Sequence, residues 1–301
     1  MARKAVSHPP AYRALCGPFV TDTPSSTPVT LNATPDAAPD VPDRIPDAID
    51  ASLPPSSKLV PKKPLIMRFG KYMQPRTNRW IADSAKLGDP PVYDTAVFPW
   101  VRELESHWET IRDEAAAALQ DLEKVPPLAT ISPDHRRIAP AGRWRSFFLI
   151  GYRYRDDANC AKCPKTTALI ERIVPGLNSA FFSILVPGTH IPPHTGVTKA
   201  FLTCHLGIQV PRERQKCRMR VVDEWVHWTE GKALIFDDCY NHEVLNETDE
   251  TRIVLLIQFR RPVGIVGRIV GGLFLEGVRR SRFVQDARKG IAQWSAERVG
   301  Q

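Results

Sequence analysis

Phe181-Phe-Ser-Ile-Leu-Val-Pro-Gly-Thr-His-Ile-Pro-Pro-His194-Thr-Gly196 is the stretch on which the fold turns. Its apolar run from Phe181 to Val186 predicts a short strand, and Pro187-Gly188 ends it. Prolines 192 and 193 forbid a helix here, so His190 and His194 are not the helical pair of a zinc protease. His194 is instead delivered by a loop. A second histidine is delivered the same way, since the run Ala233-Leu-Ile-Phe236 gives out into Asp237-Asp-Cys-Tyr-Asn241 just before His242. The turn-forming Asn246-Glu-Thr-Asp-Glu250 then reverses the chain into Arg252-Ile-Val-Leu-Leu-Ile-Gln-Phe259.

Neutral imidazoles suit ferrous iron, and non-haem oxygenases hold it with few protein ligands so that positions stay open for oxygen and a co-substrate. An arginine at the head of a buried strand offers a planar fork for a carboxylate. The combination suggests a 2-oxoglutarate oxygenase, with the arginine anchoring the far carboxylate. The usual third ligand is an acid two residues after the first histidine, and here that residue is Gly196. On these residues alone iron is one reading among several. Asp237 and Asp238, the nearest acids in sequence, read either as a structural turn or as a concealed carboxylate ligand.

Several motifs occur in a set order: Ser183 to Gly196, His205-Leu-Gly207, Trp228-Thr-Glu-Gly-Lys-Ala-Leu-Ile-Phe-Asp-Asp238 and His242-Glu-Val244. Together they resemble the aspartyl/asparaginyl beta-hydroxylase family, with similarity from about Trp100 to Pro262 that includes Asn159 to Thr166. That family carries a two-histidine iron site with glycine where the acid is expected, so the resemblance turns Gly196 into a match. It implies Fe(II) bound by His194 and His242, 2-oxoglutarate bound by Ser183, His205 and Arg252, and O2 as oxidant. The implied activity is hydroxylation of a C–H near a carbonyl, nominally on aspartyl or asparaginyl residues of a peptide or protein. Strand alternation agrees: Phe181 and Ser183 share one face, and Phe201, Thr203 and His205 share another.

The same alternation exposes a departure. Peptide-hydroxylating members of the family carry basic residues where this chain has Phe181, Phe201 and Thr203, which are the candidate substrate pocket. An apolar wall fits the family's lipid acyl-chain 2-hydroxylase relatives, so the acyl chain of a membrane lipid is the alternative substrate. A reading of another class is a jelly-roll binding module without catalysis, against which the intact His194, His242 and Arg252 argue.

Short apolar runs at 144–152, 181–186, 201–210, 217–222, 232–236 and 252–259 are separated by Pro, Gly and Asp turns. They predict a mainly β fold, a double-stranded β-helix (jelly roll, cupin-like) with flanking α-helices. Phe98, Val101, Leu104, Trp108 and Ile111 recur at helical spacing in a predicted helix between about 92 and 125 that packs outside the sheet. The expected divisions are a proline-rich disordered tail at 1–60, a helical lead-in at 61–125, the jelly-roll domain at 126–262 and a basic helical segment at 263–301. Residues 1–60 hold eleven of the 28 prolines and few large apolar groups, a composition that does not offset its ordering entropy.

The net charge of +8 is concentrated at the far end, where residues 260–301 hold nine Lys or Arg against three Asp or Glu. A basic, apolar, glycine-rich segment fits an anionic membrane surface, or else a pair of helices covering the barrel with solvated arginines. Nucleic acid is not an expected partner, because no aromatic and basic interleaving accompanies the charge. No stretch approaches the roughly 20 apolar residues that span a bilayer, and the amino terminus lacks the apolar core of a secretory signal. The expectation is a cytoplasmic protein, with peripheral membrane contact open. Of the six cysteines only Cys160 and Cys163 form a CxxC pair, and all are expected as reduced thiols. Trp225 and Trp228 are expected in the core, and His190 as a neighbour of the metal ligands or a stabiliser of its loop.

Overall fold

Two antiparallel sheets carry the fold. The structure, a computed structural model, describes residues 65–131, 135, 137–139, 142–281 and 284–285. The expected tail at 1–60 and the end of the basic segment lie outside the described residues.

The larger sheet contains β1 (Val92–Tyr93), β2 (Trp144–Gly151), β3 (Tyr154–Arg155), β4 (Leu177–Leu185), β6 (Phe201–Gln209), β9 (Ala233–Phe236) and β11 (Arg252–Arg260). Their spatial order is β1-β9-β6-β11-β4-β2-β3. The smaller sheet runs β5-β10-β7-β8, from β5 (Thr189–His194), β10 (His242–Asn246), β7 (Cys217–Val221) and β8 (Glu224–His227). From β4 to β11 the chain passes back and forth between the sheets, with β7 and β8 forming a hairpin within the smaller one, the strand-swapping pattern of a jelly roll. The jelly roll expected from the runs of short strands is the observed fold.

Because side chains alternate across each strand, the large sheet has two apolar faces. Phe182, Ile184, Leu202, Cys204, Leu206, Leu255, Ile257 and Phe259 lie on the outer face. Helices α2 (Trp100–Ser106), α3 (Trp108–Ala118), α5 (Asp157–Lys162) and α6 (Pro164–Ile173) cover it through Leu104, Ile111, Cys160 and Ile170. The helix expected across 92–125 is broken at His107, which caps α2 and precedes α3, and a short edge strand, β1, comes before it. The Glu114 carboxylate accepts the backbone N–H groups of Lys165 (2.9 Å) and Thr166 (2.8 Å), satisfying orphan donors at the start of α6. Cys160 and Cys163 are buried thiols inside this helical layer.

The inner face meets the small sheet. Trp144, Phe148, Phe181, Leu185, Phe236 and Val254 pack there against Ile191, Met219, Val221 and Val244, joined by Leu128 and Ile131 of the short α4 (Leu128–Ile131). A separate small cluster of Ile81, Ala200 and Val263 fastens α1 (Leu65–Asp83) and α7 (Ile265–Arg279) beside the start of β6. A β-carbon at Gly267 would overlap the Ser84 hydroxyl, so glycine there permits the close approach of α7. Among the described residues no helix is long and apolar enough to cross a membrane.

Candidate active site

β5 ends at His194 and β10 begins at His242, and the two are direct partners across the antiparallel pair. Facing residues on one side of a sheet bring their side chains together, and the ring centroids stand 4.1 Å apart. Each ring donates its Nδ1–H to the backbone carbonyl two residues before it: His194 to Pro192 at 2.8 Å and His242 to Tyr240 at 2.9 Å. A carbonyl only accepts, so Nδ1 carries the proton and each Nε2 keeps its lone pair. Burial, reinforced by the neighbouring His242, pushes His194 down to about 4, and burial lowers His242 as well. Two neutral rings with fixed tautomers make a donor pair for a divalent metal.

Gly196 lies two residues past His194, and its N–H donates to the Asp238 backbone carbonyl at 2.6 Å. The space a side chain would need is taken by the Asp238 carboxylate, whose Cγ lies 2.7 Å from where a β-carbon would stand. Thr203 Oγ1 and Gln258 Nε2 both donate to Asp238 Oδ2 at 3.3 Å. Burial, with the adjacent Asp237 carboxylate, pushes Asp238 up to about 6. The Asp238 carboxylate thus occupies the space beside position 196, but the ligand atoms that cluster around it are those of Asp237 and Cys239 rather than the two imidazoles.

Ring contacts lead from the histidine pair to the anion clamp. Phe236 lies edge-on to both His242 (5.5 Å) and His205 (5.1 Å). Trp228 Nε1 donates to His205 Nδ1 at 3.2 Å, which leaves the His205 proton on Nε2, a buried donor without a partner. The Arg252 guanidinium stacks over the Trp228 ring at 4.5 Å. Arg252 is 1 % exposed, its Nε has no partner, and Nη1 reaches only the Ser183 carbonyl at 3.4 Å. Burial lowers it to about 10. A cation out of water costs several kcal/mol unless paired, and Arg252 meets no counter-anion among the described residues, so its guanidinium and His205 Nε2 are donors suited to a carboxylate. The Ser183 hydroxyl accepts from Trp144 Nε1 at 3.0 Å, which leaves its own proton to give.

All five residues implied as metal or co-substrate ligands therefore lie in one interior. The three candidate pocket residues are placed as follows. Phe181 stacks on Phe148 at 4.5 Å, Phe201 is half-buried at the start of β6, and Thr203 is engaged by Asp238. His190 bonds the Glu243 carboxylate at 3.1 Å rather than either ligand ring. The expectation that Trp225 belongs to the core is corrected: it is 42 % exposed, with Arg218 stacked over it, because β8 is the free edge of the small sheet.

Sequence reasoning missed a buried charge network beneath this site. Lys199 Nζ contacts Asp89 (2.8 and 2.9 Å) and Asp237 (2.6 Å), and Arg261 donates to Asp89, Asp237 and the Tyr93 hydroxyl. Tyr240, whose carbonyl orients His242, is bound through its hydroxyl to Asp89. The loops that carry the two histidines are thereby fastened to each other and to β11.

The sequence profile described as aspartyl/asparaginyl beta-hydroxylase matches residues 105–262, which include every residue of the histidine pair and the anion clamp. The chain belongs to the aspartyl/asparaginyl beta-hydroxylase family. It is 41 % identical over 210 residues to the ornithine lipid ester-linked acyl 2-hydroxylase of Rhizobium tropici, covering 70 % of this chain and 74 % of that protein. It is 32 % identical over 173 residues to the human aspartyl/asparaginyl beta-hydroxylase, covering 56 % of this chain but only 22 % of that protein. Among solved structures, a Pseudomonas putida prolyl-4-hydroxylase matches at 17 % identity and a TM-score of 0.33, over 51 % of this chain and 87 % of that one. At that score the match adds nothing to the strand order. This member of the hydroxylase family is recognised by its sequence and its own topology.

Proposed function

We propose that this hydroxylase depends on Fe(II) and 2-oxoglutarate and acts on the acyl chain of a lipid, beside the ester carbonyl. The observation that carries the cofactor reading is the uncompensated Arg252 at one end of the chain of ring contacts from the histidine pair. His194 and His242 would hold iron through Nε2, and their tautomers are already set for it. Arg252, with His205 Nε2 and the Ser183 hydroxyl, would take one carboxylate of 2-oxoglutarate, leaving the other end directed at the metal. When bound, iron and 2-oxoglutarate supply with O2 the oxidising power that replaces a C–H by C–OH.

The protein's own contribution is orientation and a dry interior. Pro192 and Tyr240 carbonyls fix the two rings, Trp228 fixes His205, and Thr203 and Gln258 fix the Asp238 carboxylate against Gly196. Asp238, raised towards neutrality, could hold or release a proton at its own carboxylate.

The substrate assignment rests on the stacked Phe148 and Phe181 rings on the inner wall and on the relative named for an acyl 2-hydroxylase. A second reading, an aspartyl or asparaginyl residue of a peptide, draws on the human relative, of which the chain covers a smaller share. The test is consumption of 2-oxoglutarate by the purified full chain, with and without Fe(II), in the presence of a lipid or a peptide. Lipid-stimulated, iron-dependent consumption supports the proposal. Stimulation by peptide alone transfers the function to the second reading, and no consumption under any condition favours a binding module.

A further inference from the structure

The helix pair α1–α7 presents an apolar and basic face whose chemistry fits an anionic lipid surface. Among the described residues ten large apolar side chains are exposed, and six belong to this helix pair, with Val197 bonded to it as a seventh. Four are on α7: Ile265 (72 % exposed), Val266 (63 %), Ile269 (59 %) and Leu273 (74 %). Their spacing places all four within a little over a quarter of the helix circumference, opposite Gly267 and Gly271, which pack towards Ser84, Ala200 and Ile81. Tyr72 and Trp80 on α1 are also exposed and stand two turns apart, with the Arg76 guanidinium over the Tyr72 ring at 5.2 Å.

A soluble surface has no use for this concentration of large apolar groups. The charge around them selects the occupant. Of the charged side chains described there, α1 carries Arg76 and Arg79 against Asp83, and α7 carries Arg268 against Glu276, whose carboxylate is bound by Arg280 at 2.9 Å, so basic groups outnumber acids. Interfacial helices combine those properties: apolar side chains enter the acyl boundary, aromatic residues sit at headgroup level, and arginines meet anionic headgroups. The face is also attached to the site. Gln74 Nε2 (2.8 Å) and Asn78 Nδ2 (3.3 Å) of α1 donate to the carbonyl of Val197, and Asn78 Oδ1 accepts the N–H of Lys199 at 3.0 Å. Val197, itself half exposed, stands three residues after His194.

We infer that the α1–α7 face docks the enzyme on an anionic membrane, bringing the loop that follows His194 to the lipid layer that supplies the acyl substrate. This inference rests on the lipid reading given above. It differs from charge attraction alone in requiring the four α7 side chains to insert.

The test uses the full chain and sedimentation with phosphatidylglycerol vesicles against phosphatidylcholine vesicles. The wild type should bind the anionic vesicles at least about tenfold better, and added salt should weaken the binding. The double variant Ile269→Glu/Leu273→Glu should lose about tenfold or more in vesicle binding. It should keep its melting temperature and hydroxylate lipid in detergent micelles at the wild-type rate. Absence of a preference for anionic vesicles, or unchanged binding by the variant, overturns the docking surface. So does light scattering that finds a wild-type dimer and a monomeric variant with vesicle binding intact, since the face would then join two copies. Loss of vesicle binding in the variant with no acyl hydroxylation in micelles by either protein supports the surface and removes the substrate reading instead.

Discussion

His194 and His242 face each other across the β5–β10 pair, and each ring gives its Nδ1 proton to the carbonyl two residues upstream. The same local device on two different loops sets both Nε2 atoms as acceptors before any metal arrives. Replacing either histidine by alanine should remove iron binding measured on the purified protein, with the fold retained in its circular dichroism spectrum. Stoichiometric iron in His242→Ala would remove that residue from the site.

Arg252 is a buried cation with no counter-anion among the described residues, so its removal has opposite effects on binding and on stability. Arg252→Met should weaken 2-oxoglutarate binding by about 100-fold, the loss of a buried charge-assisted pair. The ligand-free variant should melt no lower than the wild type, because an uncompensated buried charge has been removed. Calorimetric titration with 2-oxoglutarate and a thermal scan read the two halves separately. A marked drop in melting temperature with unaltered binding would make Arg252 a structural residue.

Gly196 marks where a side chain is excluded. In Gly196→Ala the new β-carbon would overlap the Asp238 carboxylate, which must then leave its place against Thr203 and Gln258. Turnover should fall on the order of 100-fold, the effect of displacing a group at a reacting centre by about an ångström. Wild-type turnover in this variant would show that Asp238 has no part in the chemistry.

The jelly roll was legible because apolar runs alternate with Pro, Gly and Asp turns, and six of those runs are strands of the structure. The shorter strands β1, β3, β5, β8 and β10 were not, since Thr189–His194 carries two prolines and β1 and β3 have two residues each. His194, His242 and Arg252 were legible by spacing and resemblance. Asp238 was noticed as an acid of uncertain role, but only the backbone contact between Gly196 and Asp238 brings it beside the histidines. Trp228 was placed in the core, yet nothing in its spacing reveals that it joins Arg252 to His205. The Asp89–Lys199–Asp237–Arg261 network joins residues up to 172 positions apart, and such pairing leaves no local signal.

That network predicts a stability effect. Arg261 and Asp237 are both almost fully buried. Arg261→Met should cost roughly 3–5 kcal/mol, the usual consequence of removing one partner from a buried pair. Urea unfolding measures it, and a loss under about 1 kcal/mol would reduce the network to surface ion pairing.

Acid sensitivity follows from the neutral histidines. The fold holds His194 at about 4 and lowers His242 and His205, burial leading in each case. The unfolded chain takes up these protons near the ordinary imidazole value of about 6.5. Metal-free protein should therefore be fully stabilised above about 6.5 and lose stability as the pH falls from there towards 4. Urea midpoints across that window test this, and a constant midpoint would contradict it.

The most direct test of the account is mass spectrometry of a lipid incubated with the purified full chain, Fe(II), 2-oxoglutarate and oxygen. The prediction is a gain of one oxygen on the acyl chain, at the carbon next to the ester carbonyl, lost in His194→Ala and in His242→Ala. An unmodified lipid beside an aspartyl or asparaginyl peptide that gains the oxygen would contradict it.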